Sequence, residues 1–240
     1  MSDKVGVLLA GGFLAALAIA CTPKSTETTT SASNEALNDN TSGSGLVISQ
    51  IYGGGGTSTG LWNRGYVELF NRTKSPISLK GISLHYSGPI SDLGLAARLP
   101  SDAVVPAGGY YLVGFLAGQT GFDLRPDTNG LPVGVLPVNG KLAMVRMVAD
   151  DGDAATQRMG CGSVDAGSCT TNSRVIDLVG YGITTDHEGA ETASPPGMKT
   201  ALLRKGAGCT DTADNKADFE VGQPQPRSAA SPAHVCEGQP

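Results

Sequence analysis

Apolar residues in this chain recur at every second position in short runs, and no apolar stripe of helical period persists beyond residue 20. Val67 and Leu69 flank Glu68, Ile77 and Leu79 flank Ser78, and Ile82, Leu84 and Tyr86 alternate with Ser83 and His85. A period of two belongs to half-buried strands, whose successive side chains point to opposite faces. Pro76, Gly81 and Gly88 break the runs, and with 34 glycines and 14 prolines in 240 residues the chain is interrupted too often for long helices. Further strands are expected at Leu46 to Tyr52, Tyr110 to Phe115, Leu142 to Met147, Val175 to Val179 and Thr200 to Arg204. About seven or eight short strands in one domain predict an all-β sandwich.

The chain before this domain has a different character. Lys4 precedes an apolar run from Val5 to Ala20, and a polar segment opens at Thr22. A basic start, an apolar run of this length and small residues at its end describe a secretory signal over residues 1–20, because the run is short for a bilayer-spanning helix. Ala18-Ile19-Ala20-Cys21 resembles a bacterial lipobox, although Ala18 stands where leucine is commonest. The resemblance implies cleavage before Cys21 and lipidation of its thiol. An ordinary cleaved signal and an uncleaved apolar anchor are the alternatives, and all three export the remainder. Triacylation at Cys21 would exceed the two membrane signals that stable anchoring needs. Residues 21–45 form a Ser/Thr-rich linker in which Ala32, Ala36 and Leu37 are the apolar residues after Cys21, too few to offset ordering entropy. A coil of that length reaches ~27 Å on average, enough to hold a domain off a lipid surface.

Removing residues 1–20 takes away one acid, Asp3, and one base, Lys4, so the net charge stays at −5. That mild acidity argues against a dedicated nucleic-acid binder. With no break in composition after residue 45, the remainder is expected to be one domain over residues 46–236 and a short tail at 237–240.

Within that domain, Leu46-Val-Ile-Ser-Gln-Ile-Tyr-Gly-Gly-Gly-Gly56, Tyr66-Val-Glu-Leu-Phe-Asn71, Ile77-Ser-Leu-Lys-Gly-Ile-Ser-Leu84 and Pro106-Ala-Gly-Gly-Tyr-Tyr-Leu-Val113 follow one another in order. Together they resemble the bacterial lamin-tail domain family. The resemblance continues through Gly140-Lys-Leu-Ala-Met-Val145, Val175-Ile-Asp-Leu-Val-Gly-Tyr-Gly182, Ala201-Leu-Leu-Arg204 and Cys209-Thr-Asp-Thr-Ala-Asp-Asn-Lys-Ala-Asp-Phe219. It implies an immunoglobulin-like β-sandwich, found alone on exported proteins or attached to nucleases and other secreted hydrolases, with no catalytic role of its own. Because the sequence stops at Pro240, short of a nuclease domain, an enzyme partner is expected to be a separate chain.

Four cysteines remain after Cys21, and export to an oxidising compartment makes pairing the default. Three connectivities are open. The pairs favoured are Cys161 with Cys169, around a turn-rich insert, and Cys209 with Cys236, joining the last strand region to the tail. Neither a CxxC spacing nor a nearby histidine pair supports zinc.

Candidate contact residues are few. Trp62, Arg64, Arg72 and Lys74 are the candidates for ligand contact, within a stretch from residue 60 to 100 that also holds Lys80 and Arg98 against Glu68 and Asp92. Glu68 and Asn71 read as structural, one facing the opposite side of its strand and the other favouring a turn. Tyr110, Tyr111 and Tyr181 read as packing residues. Gly53 to Gly56 lacks the Gly-Lys-Ser/Thr and following helix of a phosphate loop, and is expected to be a flexible or bulged turn.

Two acidic clusters invite a hard cation such as Ca2+: Asp150-Asp151-Gly152-Asp153, and Asp211 with Asp214, Asn215 and Asp218. Neither has the spacing of an EF-hand, and the second also fits Asx turns that lead the chain into Phe219 as a core anchor. For hydrolysis, His85, His187 and His234 lie outside any HExxH, no GxSxG is present, and Asp186-His187-Glu188 reads as a solvated loop. Two classes of function survive. One is a non-catalytic module, tethered to the membrane by lipid at the bacterial cell envelope, that binds an extracellular polymer, an envelope protein or nucleic acid, or serves as a spacer. The other is a secreted, metal-assisted hydrolase or the accessory subunit of an exported nuclease.

Overall fold

In the six-residue strand Tyr66–Asn71, every residue is buried, although its apolar pattern alternates. The computed structural model, which describes residues 45–147, 159–163 and 167–237, explains this by covering both faces of the sheet. The expected signal, Cys21, the linker and the acidic run Asp150 to Asp153 lie outside the described residues.

Strand β1 (Leu46–Tyr52) pairs antiparallel with β2 (Tyr66–Asn71), which pairs in turn with β7 (Tyr110–Gly114). The short β8 (Thr128–Asn129) adds parallel to β7, while β11 (Ala201–Arg204) and β12 (Phe219–Gly222) extend the sheet beyond β1. In the second sheet β4 (Ile82–Ser87) lies between β5 (Leu95–Arg98) and β9 (Gly140–Arg146), with β10 (Val175–Tyr181) beyond β9. A two-stranded pair, β3 (Ile77–Ser78) with β6 (Val104–Val105), completes the set, and α1 (Asn215–Asp218) is a single turn. The all-β sandwich expected from the alternation is therefore present.

The core lies between the sheets. Ile48, Ile51, Val67 and Leu69 from one and Leu84, Leu142, Met144 and Val179 from the other belong to one apolar cluster, which Phe219 joins as expected. Each fully buried aliphatic side chain contributes about 1.5–3 kcal/mol. The odd step from Ile48 to Ile51 would turn one of them outward in a regular strand. A bulge between Ile48 and Gln50 corrects the phase, setting Ile48 opposite Leu69 and Gln50 opposite Glu68.

The outer face of the second sheet is also covered. Ala143, Val145 and Leu178 pack with Leu93, Met159, Cys161 and Cys169, and the Cys161–Cys169 disulfide holds that cover together. On the outer face of the first sheet lies the segment 223–237. Gln225 exchanges hydrogen bonds with the Gln50 amide (2.8 and 2.9 Å), Ala229 N donates to Asp127, and His234 N donates to Gly108 O. The second expected disulfide, Cys209–Cys236, fastens the end of this strap.

Gly53 to Gly56 connects β1 to β2 as expected, but in a crowded position. A Cβ on Gly54 would overlap the Met198 backbone, and one on Gly55 that of Arg64, so glycine serves close approach here rather than flexibility.

Candidate functional site

Arg204 follows Leu202 by two residues on β11 and therefore shares its inward face. Its side chain is fully buried, as a charged group can be only when paired and hydrogen-bonded. Nη2 donates to both Asp177 oxygens at 3.0 and 2.9 Å, Nη1 donates to Asp211 Oδ1 at 3.1 Å and to Asp218 Oδ2 at 3.4 Å, and Nε donates to Ile48 O at 2.9 Å. Asp177 sits on the inward face of β10, two residues before Val179, and its Oδ2 also accepts from Ile48 N at 2.6 Å. One fork thus joins a carboxylate of the second sheet to the backbone of the first. The guanidinium also stacks 4.5 Å from the centre of the Phe219 ring. Burial alone would weaken its hold on the proton, but Asp177, Asp211, Glu188 and Asp218 more than reverse this, so Arg204 stays charged.

This network accounts for the acids at residues 211 to 218, for which the sequence offers two readings, a calcium set and local turns. Asp211 is shared, Oδ1 with Arg204 and Oδ2 with Arg72 at 2.7 Å. Asp218 accepts from Thr212 N and Oγ1 as well as from Arg204. Asp214 caps α1 by accepting from Ala217 N at 3.0 Å, and Asn215 bonds the β10 backbone at Gly180 N and Leu178 O. Asp211 and Asp218 share Arg204 Nη1 as a donor, while Asp214 and Asn215 bond backbone groups elsewhere. Asp177, Glu188 and Asp211 do bring ligand atoms within 4.8 Å of one another, but Arg204 is bonded to two of the three. The positive charge of this cluster is supplied by a side chain.

Beside the network, a cleft of about 490 Å³ is lined by Thr170, Ile176, Leu178, Thr185, His187 and Glu188, among others. The Glu188 carboxyl is pushed up to about 8, chiefly by burial and then by the Asp177 carboxylate. It is held by Asn215 Nδ2 at 3.3 Å, and near neutral pH it carries a proton. The expectation of a solvated Asp186-His187-Glu188 loop fails at its first residue, because Asp186 is fully buried and accepts from Cys169 N at 2.8 Å. Close by, the buried Lys141 points its Nζ at Gly162 O (2.7 Å), Thr185 Oγ1 (2.9 Å), Pro89 O (3.1 Å) and Gly88 O (3.4 Å). It ties together three loops at one end of the second sheet.

Of the four candidate contact residues, Arg72 and Lys74 line one pocket and Arg64 lines another. Arg72 is buried against Asp211 and lines its small pocket together with Lys74. Trp62 is half-buried and meets the exposed Phe122 edge-on, with ring centres 6.2 Å apart, so it packs between loops. Arg64 Nη1 donates to Asn129 at 2.7 Å, and Lys74 is exposed. Glu68 is fully buried on the outer face of its sheet under the strap, and Asn71 bonds the backbone at Ser75, Val105 and Pro106. Tyr110, Tyr111 and Tyr181 are buried, as expected of packing residues.

Arg204, Asp177, Lys141 and Arg227 escaped the sequence reading because hydropathy assigns charges to solvent. One signal was available: Arg204 and Asp177 occupy the same strand phase as Leu202 and Val179, which places them inward.

No family model matches the chain, and no curated protein matches it. Among solved structures, it is similar to a DUF4876 family protein from Bacteroides thetaiotaomicron, at 11% identity and a TM-score of 0.47 over 81% of this chain and 75% of that one.

Proposed function

We propose that the protein is a non-catalytic binding or structural module of lamin-tail type, tethered to the bacterial cell envelope by lipid on Cys21. The observation that carries the non-catalytic reading is the engagement of its clustered acids. Asp211 and Asp218 both bond Arg204, and Asp214 caps a helix turn, so the described carboxylates nominated for metal-assisted hydrolysis serve the fold. The tether reading rests on the lipobox-like Ala18-Ile19-Ala20-Cys21 and the polar segment that follows. Export agrees with the two disulfides, since such bonds persist in oxidising compartments.

Expression of the full chain and of Cys21→Ser, with acyl labelling and membrane fractionation, tests the tether. The variant is expected to lose the label and leave the membrane fraction; unchanged label and fractionation refute lipidation. The non-catalytic reading is checked on the same protein with phosphodiester and nucleic-acid substrates. Chelator-sensitive hydrolysis that disappears in Asp211→Ala would favour the hydrolase instead.

A further inference from the structure

Where the described domain begins, a pocket of about 210 Å³ opens between the turn after β2, the turn before β7 and the strap. Its lining includes Arg72, Lys74, Ala107, His234, Val235 and Cys236. Arg72 and Lys74 from one turn thus meet His234, more than 150 positions later in the sequence, in one depression. Arg72 is the unusual member. Its side chain is 3% exposed, its Nη1 is bonded to Asp211, and its Nε is buried with no partner among the described residues. Asp211 does not neutralise it alone, because the same carboxylate also serves Arg204. Arg204 in turn is held by Asp177 and Asp218 as well, so what is left unmet at the base of the pocket is the Arg72 Nε–H. Lys74 and His234 stand exposed at its edge, while Ala107 and Val235 give it an apolar wall.

A buried guanidinium with an unpartnered Nε–H, beside the exposed Lys74 ammonium and the His234 ring, favours a ligand that accepts hydrogen bonds and carries negative charge, and an apolar wall favours one that carries carbon. The volume corresponds to roughly seven water molecules, room for one tetrahedral oxyanion and the first carbons of its ester. We propose that this pocket binds the phosphate group of a phosphate ester, with Arg72 supplying fixed charge from below and Lys74 and His234 closing on the oxygens. The ester has two sources, a soluble monoester or the headgroup of an anionic phospholipid. The inference does not depend on how the chain is tethered.

The test uses the full chain, with butyl phosphate and inorganic phosphate followed by calorimetry and by amide NMR shifts, and with vesicles of neutral lipid with or without phosphatidylglycerol followed by co-sedimentation. Saturable butyl phosphate binding is expected, tighter than inorganic phosphate, with shifts at Thr73, Lys74, Gly108 and Val235. Lys74→Ala should weaken it about fivefold, the scale of one exposed ion pair, and Lys74→Arg should restore most of the loss. Vesicle sedimentation that requires phosphatidylglycerol and Lys74 supports the headgroup as source, and soluble binding without sedimentation supports the monoester. Lys74 is exposed, so loss of binding with an unchanged near-ultraviolet circular dichroism spectrum is not loss of fold. The proposal is overturned by the absence of saturable binding of either phosphate and of phosphatidylglycerol vesicles, by binding indifferent to both Lys74→Ala and His234→Ala, or by shifts confined to another part of the domain.

Discussion

Arg227 encloses the buried carboxylate of Glu68 from three donors: its backbone N reaches Oε2 at 2.7 Å, Nη2 reaches Oε1 at 2.7 Å, and Nε lies 3.1 and 3.2 Å from the two oxygens. The β1 bulge places Ser49 Oγ against the same carboxylate at 2.6 Å and Gln50 Nε2 at 3.3 Å. Burial pushes Glu68 upward while Arg227 opposes it, so the pair holds its charge only as long as the strap stays in place. Arg227→Ala is expected to cost about 3–5 kcal/mol in urea unfolding, the penalty for leaving a buried charge unpaired. Adding Glu68→Gln should recover part of that loss, and a strictly additive double mutant would show the two are uncoupled.

Arg204→Lys retains the charge and discards the fork. A single ammonium cannot reach Asp177, Asp211 and Ile48 O at once, as the three guanidinium nitrogens do. The expected loss is roughly 1.5–3 kcal/mol, from charge-assisted bonds no longer made. Stability equal to the parent protein would mean that net charge alone matters at this site.

Glu188 gives the fold a pH dependence. Its proton is held to about 8 in the folded state, against 4.5 as its ordinary value. Between these values the folded chain binds more protons than the unfolded one, so stability falls as pH rises through this window, by at most about 1.4 kcal/mol per pH unit. Below the window both states are protonated and the decline is absent. Glu188→Gln, still able to accept from Asn215, should flatten this part of a plot of unfolding free energy against pH. An unchanged slope would place the titration elsewhere.

Joint replacement of Cys209 and Cys236 by Ser should lower stability by ~3.6 kcal/mol on the chain-entropy estimate for a loop of this span. The accompanying structural sign is a rise in amide exchange along residues 223–237, because the strap loses its fastening. Exchange limited to residues 209 and 236 would contradict the idea that the bond holds the whole segment.

Calcium should leave the melting temperature where it is. A site filled at a hundred times its dissociation constant adds about 2.7 kcal/mol, an easily measured shift. The acids at 211, 214 and 218 already serve Arg72, Arg204, Thr212 and Ala217, so no shift is expected at millimolar calcium, and a clear one that persists when Asp150, Asp151 and Asp153 are replaced would reinstate them as ligands.

Alternation made the sandwich readable wherever a strand presents apolar residues to the core at a fixed period, as β2 and β4 do. The strands that escaped had little pattern to offer. β8 is two polar residues added to an edge, and β12 contributes Phe219 to the core while Glu220 and Val221 stay exposed. Both disulfides fall on the sequence-local pairing. The charged interior was harder because its meaning lies in pairs: strand phase turns Asp177 inward but does not show that Arg204 meets it from the opposite sheet, and Glu68 looks like an outward strand residue until Arg227 arrives from 159 positions away. A linear pattern records which way a side chain points, but not what will cover it.

The strap also sets a timetable for assembly. Strands β1 and β2 are contiguous enough to pair early, yet Gln50 waits for Gln225, 175 positions later, before its amide is satisfied on that face. Contacts of such separation carry a loop-closure cost that slows folding. Until residue 227 has been synthesised, the first sheet holds an uncapped carboxylate on one face. The outer surface of that sheet is therefore the natural place for a chaperone or a protease to distinguish unfinished molecules from finished ones.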